Sequence, residues 1–225
     1  MRADLVCFRC LVSWRPKANR GACAHCGKEY TRAGMGKHLA ICLADRAQSE
    51  TGKSSPCFHL QVSAAHTSAY WLHLQVDANT SLKSLDGFLR KIWLECCGHM
   101  SMFRVDRHRI GMGRKLATFF QPGMKLDYDY DMGDTISLRI TVLGEYPGLV
   151  TKKKPVEILV RNVPPAIVCD ECGKNPAAWI CTECNWEGEG WLCRSCASEH
   201  ACGDEEFFLP VVNSPRTGVC AYTGE

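Results

Sequence analysis

The sequence predicts an α+β chain: a central, mainly antiparallel sheet with one packed helix, plus two small zinc-stabilised modules. Two observations carry this prediction. The 16 cysteines are spread unevenly, five within residues 1–42, three within 43–168 and eight within 169–225, so a cysteine-poor middle separates two cysteine-rich ends. In that middle, apolar residues first alternate with period two, then recur with the helical period, then alternate again.

A chain of 225 residues, 46% apolar and 23% charged, suits one ordinary domain with small modules attached. No apolar run approaches the ~20 residues of a membrane span, and MRADLVCFRC at the N-terminus lacks the apolar stretch of a secretory signal. No membrane association is therefore expected, and the expected location is cytoplasmic. In a reducing compartment, thiols at this density point to metal rather than disulfides. The net charge of +3 hides a gradient: residues 1–55 carry +6, residues 56–162 carry +4 and residues 163–225 carry −7. One end is basic and the other acidic. The expected boundaries are 1–43 for the first module, 44–56 for a polar linker, 57–162 for the central domain, 163–208 for the second module and 209–225 for a tail.

In the first module, Cys23-x2-Cys26 is followed after eleven residues by His38-x3-Cys42. A helix through residues 35–43 puts His38 and Cys42 on one face, one turn apart, while Cys23 and Cys26 come from the turn of a preceding hairpin. Tyr30 and Met35 supply the apolar contacts of a miniature core. The arrangement resembles the ββα zinc finger in its form with three cysteines and one histidine, one residue shorter than usual between the ligand pairs. Cys7-x2-Cys10 offers a rival four-cysteine ribbon with Cys23 and Cys26, but that pairing leaves His38 and Cys42 unused. A lone finger reads only ~3 base pairs, and Gly34 and Gly36 have no side chains to reach base edges. Lys28, Arg32 and Lys37 are the candidate nucleic-acid contacts, through phosphates; a solvated basic face is the competing reading.

Strands are expected at residues 58–62, 70–76, 103–105, 125–130, 135–143 and 156–161, with Tyr70, Leu72, Leu74 and Val76 on the buried face of the second. Leu82, Leu85, Phe88, Leu89, Ile92, Trp93 and Cys96 follow the helical period, with Thr80 or Ser81 as cap and Gly98 as stop. Asp127, Asp129 and Asp131 share one strand face. They fail the calcium-loop pattern, because Met132 stands at the glycine position and Leu138 at the bidentate glutamate position. They are read as a solvated acidic face with Tyr128 and Tyr130 inward, and Asp131 with Gly133 and Asp134 as a tight turn. Cys97 and His99, two residues apart near a helix end, match no cysteine-enzyme pattern. The chain also lacks a phosphate-binding glycine loop, H-E-x-x-H and G-x-S-x-G.

Residues 70–76, the helix from Leu82, the His99-to-Phe103 spacing and Tyr130-Asp131-Met132-Gly133-Asp134 resemble the plasmid Ri ORF-3-like domain family, met in bacteria and archaea and on mobile elements. The resemblance covers about residues 57–162 and implies an α+β domain without an assigned activity.

The second module is the strongest signal in the chain. Cys169-x2-Cys172, Cys181-x2-Cys184, Cys193-x2-Cys196 and His200-x-Cys202 supply eight ligands, enough for two tetrahedral zincs. Trp179-Ile180-Cys181 and Trp191-Leu192-Cys193 repeat after twelve residues, each a short strand entering a zinc knuckle. The arrangement resembles the B-box class. That resemblance implies interleaved pairing: Cys169, Cys172, Cys193 and Cys196 on one zinc, and Cys181, Cys184, His200 and Cys202 on the other, with sequential pairing as the alternative. Trp179, Trp186 and Trp191 are read as core and strand-face residues, and Cys220 as a free thiol.

Three zincs are therefore expected, all structural. The expected function is that of a zinc-binding adaptor with a protein partner; the alternatives are a nucleic-acid-binding regulator linked to a mobile element and, more weakly, an enzyme working through the central domain.

Overall fold

The computed structural model describes residues 19–49, 54–149, 154–202 and 205–224; Cys7 and Cys10 of the rival ribbon lie outside them. The class is α+β, built on a seven-stranded sheet whose neighbours all pair antiparallel. In chain order its strands are β3 (Ser55–Ala64), β4 (Trp71–Asp77), β5 (Ser101–Val105), β6 (His108–Ile110), β7 (Lys125–Tyr130), β8 (Ile136–Gly148) and β9 (Val156–Arg161). Across the sheet they run β6-β5-β7-β8-β3-β4-β9. Preceding them are a short hairpin, β1 (Arg20–Ala22) with β2 (Glu29–Thr31), and the helix α1 (Arg32–Ser49). β6 was not evident from the sequence, since its His-Arg-Ile has no buried face.

One face of the sheet is covered by α2 (Leu82–Leu89), which starts where Ser81 Oγ accepts a hydrogen bond from the Ser84 amide. Leu82, Leu85 and Leu89 bury against Leu72, Leu74 and Tyr128. The helical period was expected to continue to Cys96. Instead the chain widens into a π turn over Arg90–Leu94, which brings three consecutive residues, Ile92, Trp93 and Leu94, into the core. Glu95 is already extended, and the turn is completed at Gly98 with φ +84°.

The other face carries α1. Met35, Leu39 and Leu43, spaced by four, bury against Trp71, Leu159 and Val160. β4 is therefore buried on both faces, where alternation in the sequence suggested one. The same packing explains why α1 continues to Ser49, into the segment expected to be linker: Leu43 anchors it to the sheet, and Ser55 and Pro56 already belong to β3. Beneath α1 the side chains of His59 and His73 meet, Nε2 to Nδ1 at 2.8 Å. Burial holds His59 down at about 4 and His73 at about 3, so the pair is neutral and one imidazole donates to the other.

The hairpin is joined to the sheet by backbone. Gly21 bridges Asn162, the Val163 amide donates to the Arg20 carbonyl, and the Ala24 amide donates to the Leu159 carbonyl. A Cβ on Gly21 would stand 2.7 Å from the Arg161 carbonyl oxygen and 2.9 Å from Trp71. Gly21→Ala is accordingly expected to cost about 1–3 kcal/mol through overpacking, measured as a lower urea midpoint. An unchanged midpoint would mean that the hairpin does not pack on β9.

The C-terminal module contains β10 (Trp179–Cys181), α3 (Thr182–Asn185), β11 (Trp191–Leu192), α4 (Arg194–Ala197) and β12 (Phe208–Pro210). Its sheet runs β11-β10-β12. β12 falls at residues 208–210 and so pairs across the expected start of the tail at residue 209. Trp179 and Trp191 are half-buried, but Trp186 is 85% exposed, which corrects its placement as a core residue: it is the C-cap of α3, outside the strands that carry the other two.

Candidate metal centres

Among the described residues, four groups of cysteine and histidine bring four donor atoms within 4.8 Å of one another. Each can hold a metal ion. A tetrahedron with metal–sulfur bonds of ~2.3 Å has sulfur–sulfur edges of about 3.8 Å and sulfur–nitrogen edges of about 3.5 Å, which sets the scale for the distances below.

Cys23, Cys26, His38 and Cys42 form the first group. The Gly27 amide donates to the Cys23 carbonyl, and Gly27 takes φ +71°, closing the knuckle that presents both thiols. His38 and Cys42 project from α1 one turn apart. Cys26 Sγ lies 3.2 Å from His38 Nε2, and Cys23 Sγ lies 3.9 Å from Cys42 Sγ. Tyr30 stacks on the His38 ring with centroids 4.5 Å apart, which fixes the imidazole plane.

Cys169, Cys172, Cys193 and Cys196 form the second group, and Cys181, Cys184, His200 and Cys202 the third. The four pairs thus come together in interleaved order, because pairing of β10 with β11 sets the knuckles at their ends on opposite sides of the hairpin. Cys172 and Cys193 sulfurs are 3.9 Å apart; Cys184 Sγ is 3.7 Å from Cys202 Sγ and 3.3 Å from His200 Nε2. His200 Nδ1 donates to Glu171 Oε1 at 2.5 Å, so a carboxylate from one knuckle orients a ligand of the other centre.

Crowding of these thiols shows in their acidities. Burial and then the Cys23 sulfur push Cys42 up to about 12; burial and then Cys202 push Cys184 up to about 12. Hydrogen bonds from Ser195 and the Cys196 amide bring Cys193 down to about 6. Several thiolates within 4 Å cannot ionise together without a cation among them, and a divalent ion reverses that penalty. The donor sets and their distances fit a thiophilic tetrahedral ion.

The fourth group, Cys96, Cys97, His99 and Cys220, is not among the expected ligand sets, and it corrects the expectation of a free thiol at Cys220. Its members are separated by 121 residues between His99 and Cys220, so no spacing pattern links them. The sequence signal is Cys96-Cys97-Gly98-His99, a cysteine pair and a histidine on either side of the expected helix stop.

The strand carboxylates are not the solvated face expected. Asp129 and Asp131 are buried, the first paired with Arg104, the second with Arg216 at 2.8 Å; Asp127 pairs with Arg139 nearer the surface. Asp131 also accepts from the Gly133 amide, making the turn, and Arg216 holds its carboxyl below the ordinary range. Of the basic candidates, Lys28 and Lys37 are exposed and Arg32 is half-buried. Lys37 borders a cavity of about 490 Å³ between α1 and the sheet, with Gly36, His59, Leu143 and Tyr146.

No protein-family model matches the chain, and no curated protein matches it. Among solved structures, a protein of unknown function from Methanosarcina mazei Go1 is similar over 54% of this chain and 76% of its own, with 16% identity and a TM-score of 0.40.

Proposed function

We propose that the chain is a zinc protein whose terminal modules carry three structural centres, one in the finger and two in the C-terminal module, and that it acts by binding a protein partner as an adaptor. The observation that carries this reading is that every one of those centres draws four donors from the chain, leaving no coordination position for a substrate or an activating water. Trp186, exposed beside Glu183, Glu187 and Glu189, is a large aromatic on an acidic surface and supports a partner with a basic face. The location of this adaptor is proposed to be the cytoplasm, where reduced thiols keep metal.

The use of α1 favours the adaptor over a reader of nucleic acid. In a DNA-binding finger this helix enters the major groove. Here its Met35-Leu39-Leu43 face is spent on the sheet, and a Cβ on Gly36 would meet Leu143 at 3.3 Å, so that glycine serves close packing. Exposed Lys28 and Lys37 still permit phosphate contacts. The test is elemental analysis of the full chain with Cys23→Ser, Cys169→Ser and Cys181→Ser, each expected to lose zinc, together with duplex and single-stranded DNA binding across a salt series. Binding that weakens steeply with salt and vanishes in a Lys28→Glu/Arg32→Glu/Lys37→Glu variant would replace the adaptor reading with the nucleic-acid one. Zinc retained by all three cysteine variants would remove the metal reading.

A further inference from the structure

We infer that Cys96, Cys97, His99 and Cys220 form a fourth zinc centre, one that staples the C-terminal tail to the central domain. Cys97 Sγ stands 3.5 Å from Cys96 Sγ, 3.6 Å from Cys220 Sγ and 2.9 Å from His99 Nε2, and Cys220 Sγ stands 3.8 Å from the same nitrogen. These separations match those of the three centres already described, and the sulfurs are far beyond the ~2.05 Å of a disulfide. Three thiolates and an imidazole at tetrahedral edges are a zinc donor set.

The backbone around the group is shaped to bring the donors together. The π turn ends the helix at Leu94, and the Glu95 carboxylate accepts from the Gly98 amide at 2.6 Å, pinning the turn in which two consecutive cysteines point to one place. Gly98 supplies the positive φ that reverses the chain before His99. On the tail, Cys220 itself takes φ 55°, a conformation that a non-glycine residue holds only where its surroundings demand it. His99 is braced edge-on by the Tyr130 ring. Its Nε2 also lies 3.4 Å from Asp131 Oδ2, a carboxylate that Arg216 engages. Arg216 Nη2 reaches Cys96 Sγ at 3.3 Å, placing a fixed positive charge beside a centre whose three thiolates exceed the ion's charge by one.

The tail that delivers Cys220 is already threaded into the central domain. Trp93 Nε1 donates to the Asn213 carbonyl, Ser214 Oγ donates to the Trp93 carbonyl, and Tyr222 is buried. A metal at its end closes this path, and because the tail follows β12 directly, it ties the two-zinc module to the sheet. Unlike most of the donors of the other centres, Cys97 and Cys220 are exposed, which makes the proposal accessible to chemical probing.

Full-length chain purified without added metal is expected to hold four zincs, and Cys220→Ser and His99→Ala are each expected to hold three. In the unaltered, metal-loaded chain, iodoacetamide followed by peptide mass mapping should leave Cys97 and Cys220 unmodified despite their exposure, and a chelator should expose both. This second measurement needs no variant to fold. The proposal is overturned if both variants retain the metal of the parent while Cys97 and Cys220 alkylate at once. It is equally overturned if those two cysteines are recovered as a disulfide. Neither result touches the terminal centres, which stand or fall with the Cys23, Cys169 and Cys181 variants.

Discussion

Cys181→Ser is expected to unfold the C-terminal module and to release two metal ions rather than one. Structural zinc contributes on the order of 10–16 kcal/mol per site at neutral pH, which is comparable to the ~5–15 kcal/mol net stability of a whole domain. Among the described residues little apolar core replaces that contribution: the buried cluster at the centres consists of Cys169, Cys181, Leu192 and Cys193, three of the four being ligands, with Phe207 and Phe208 partly buried against it and Ile180 buried in β10. The two centres are also mechanically joined. Both are mounted on the β10–β11 hairpin, and Glu171 of one knuckle holds His200 of the other centre. Losing the centre at Cys181 therefore frees the ladder that positions Cys193 and Cys196. Hydrogen exchange should show protection lost at the Cys181 amide, which donates to the Gly190 carbonyl, while amides in β3, β4 and β8 stay protected by the main core. Release of a single metal with β10 and β11 still protected would show two independent centres and refute the coupling.

The period-two and period-3.6 patterns located six of the seven strands of the main sheet and α2 because each such element buries at least one apolar face, and that requirement is local. β7 and β9 fall on the residues expected. What could not be read are the features created by tertiary contact. The second buried face of β4 exists because α1 lies on it, and no periodicity within Trp71–Asp77 announces a cover contributed by residues 35–43. Asp129 and Asp131 alternated with buried tyrosines and so resembled a solvated face, yet arginines from β5 and from the tail take them out of water. The metal clusters divide along the same line. Three are written as short repeated spacings within one module; the group at Cys96 to Cys220 needs the tail to return across the whole central domain before its donors meet.

Among the groups that hold the tail to that domain is one buried guanidinium, and Arg216→Ala is expected to cost about 3–5 kcal/mol. Arg216 is fully buried; it donates to Asp131 Oδ2 at 2.8 Å and to the Asp134 carbonyl at 3.4 Å, and it lies 4.9 Å from the centroid of the Tyr130 ring. Removing it takes the guanidinium from the Asp131 carboxylate, which is 5% exposed and keeps only the Gly133 amide and the His99 ring beside it, and a buried charge deprived of its counter-ion costs far more than a lost surface contact. Arg139→Ala supplies the comparison, because its pair with Asp127 is exposed on both sides, and its expected cost is at most about 1 kcal/mol. The penalty should also depend on pH in a defined direction. Arg216 holds the Asp131 carboxyl below its ordinary value near 3.8, so the stabilisation it gives is present above that value and disappears as pH falls through the folded-state pKa. In Arg216→Ala, protonation relieves the stranded carboxylate, and the gap between variant and parent should narrow as pH drops below 4. Adding Asp131→Asn to Arg216→Ala should recover part of the loss, since the double change removes the charge and its partner together. Urea midpoints for these chains provide the measurement. Equal losses for Arg216→Ala and Arg139→Ala at neutral pH would show that the tail is not held by a buried ion pair.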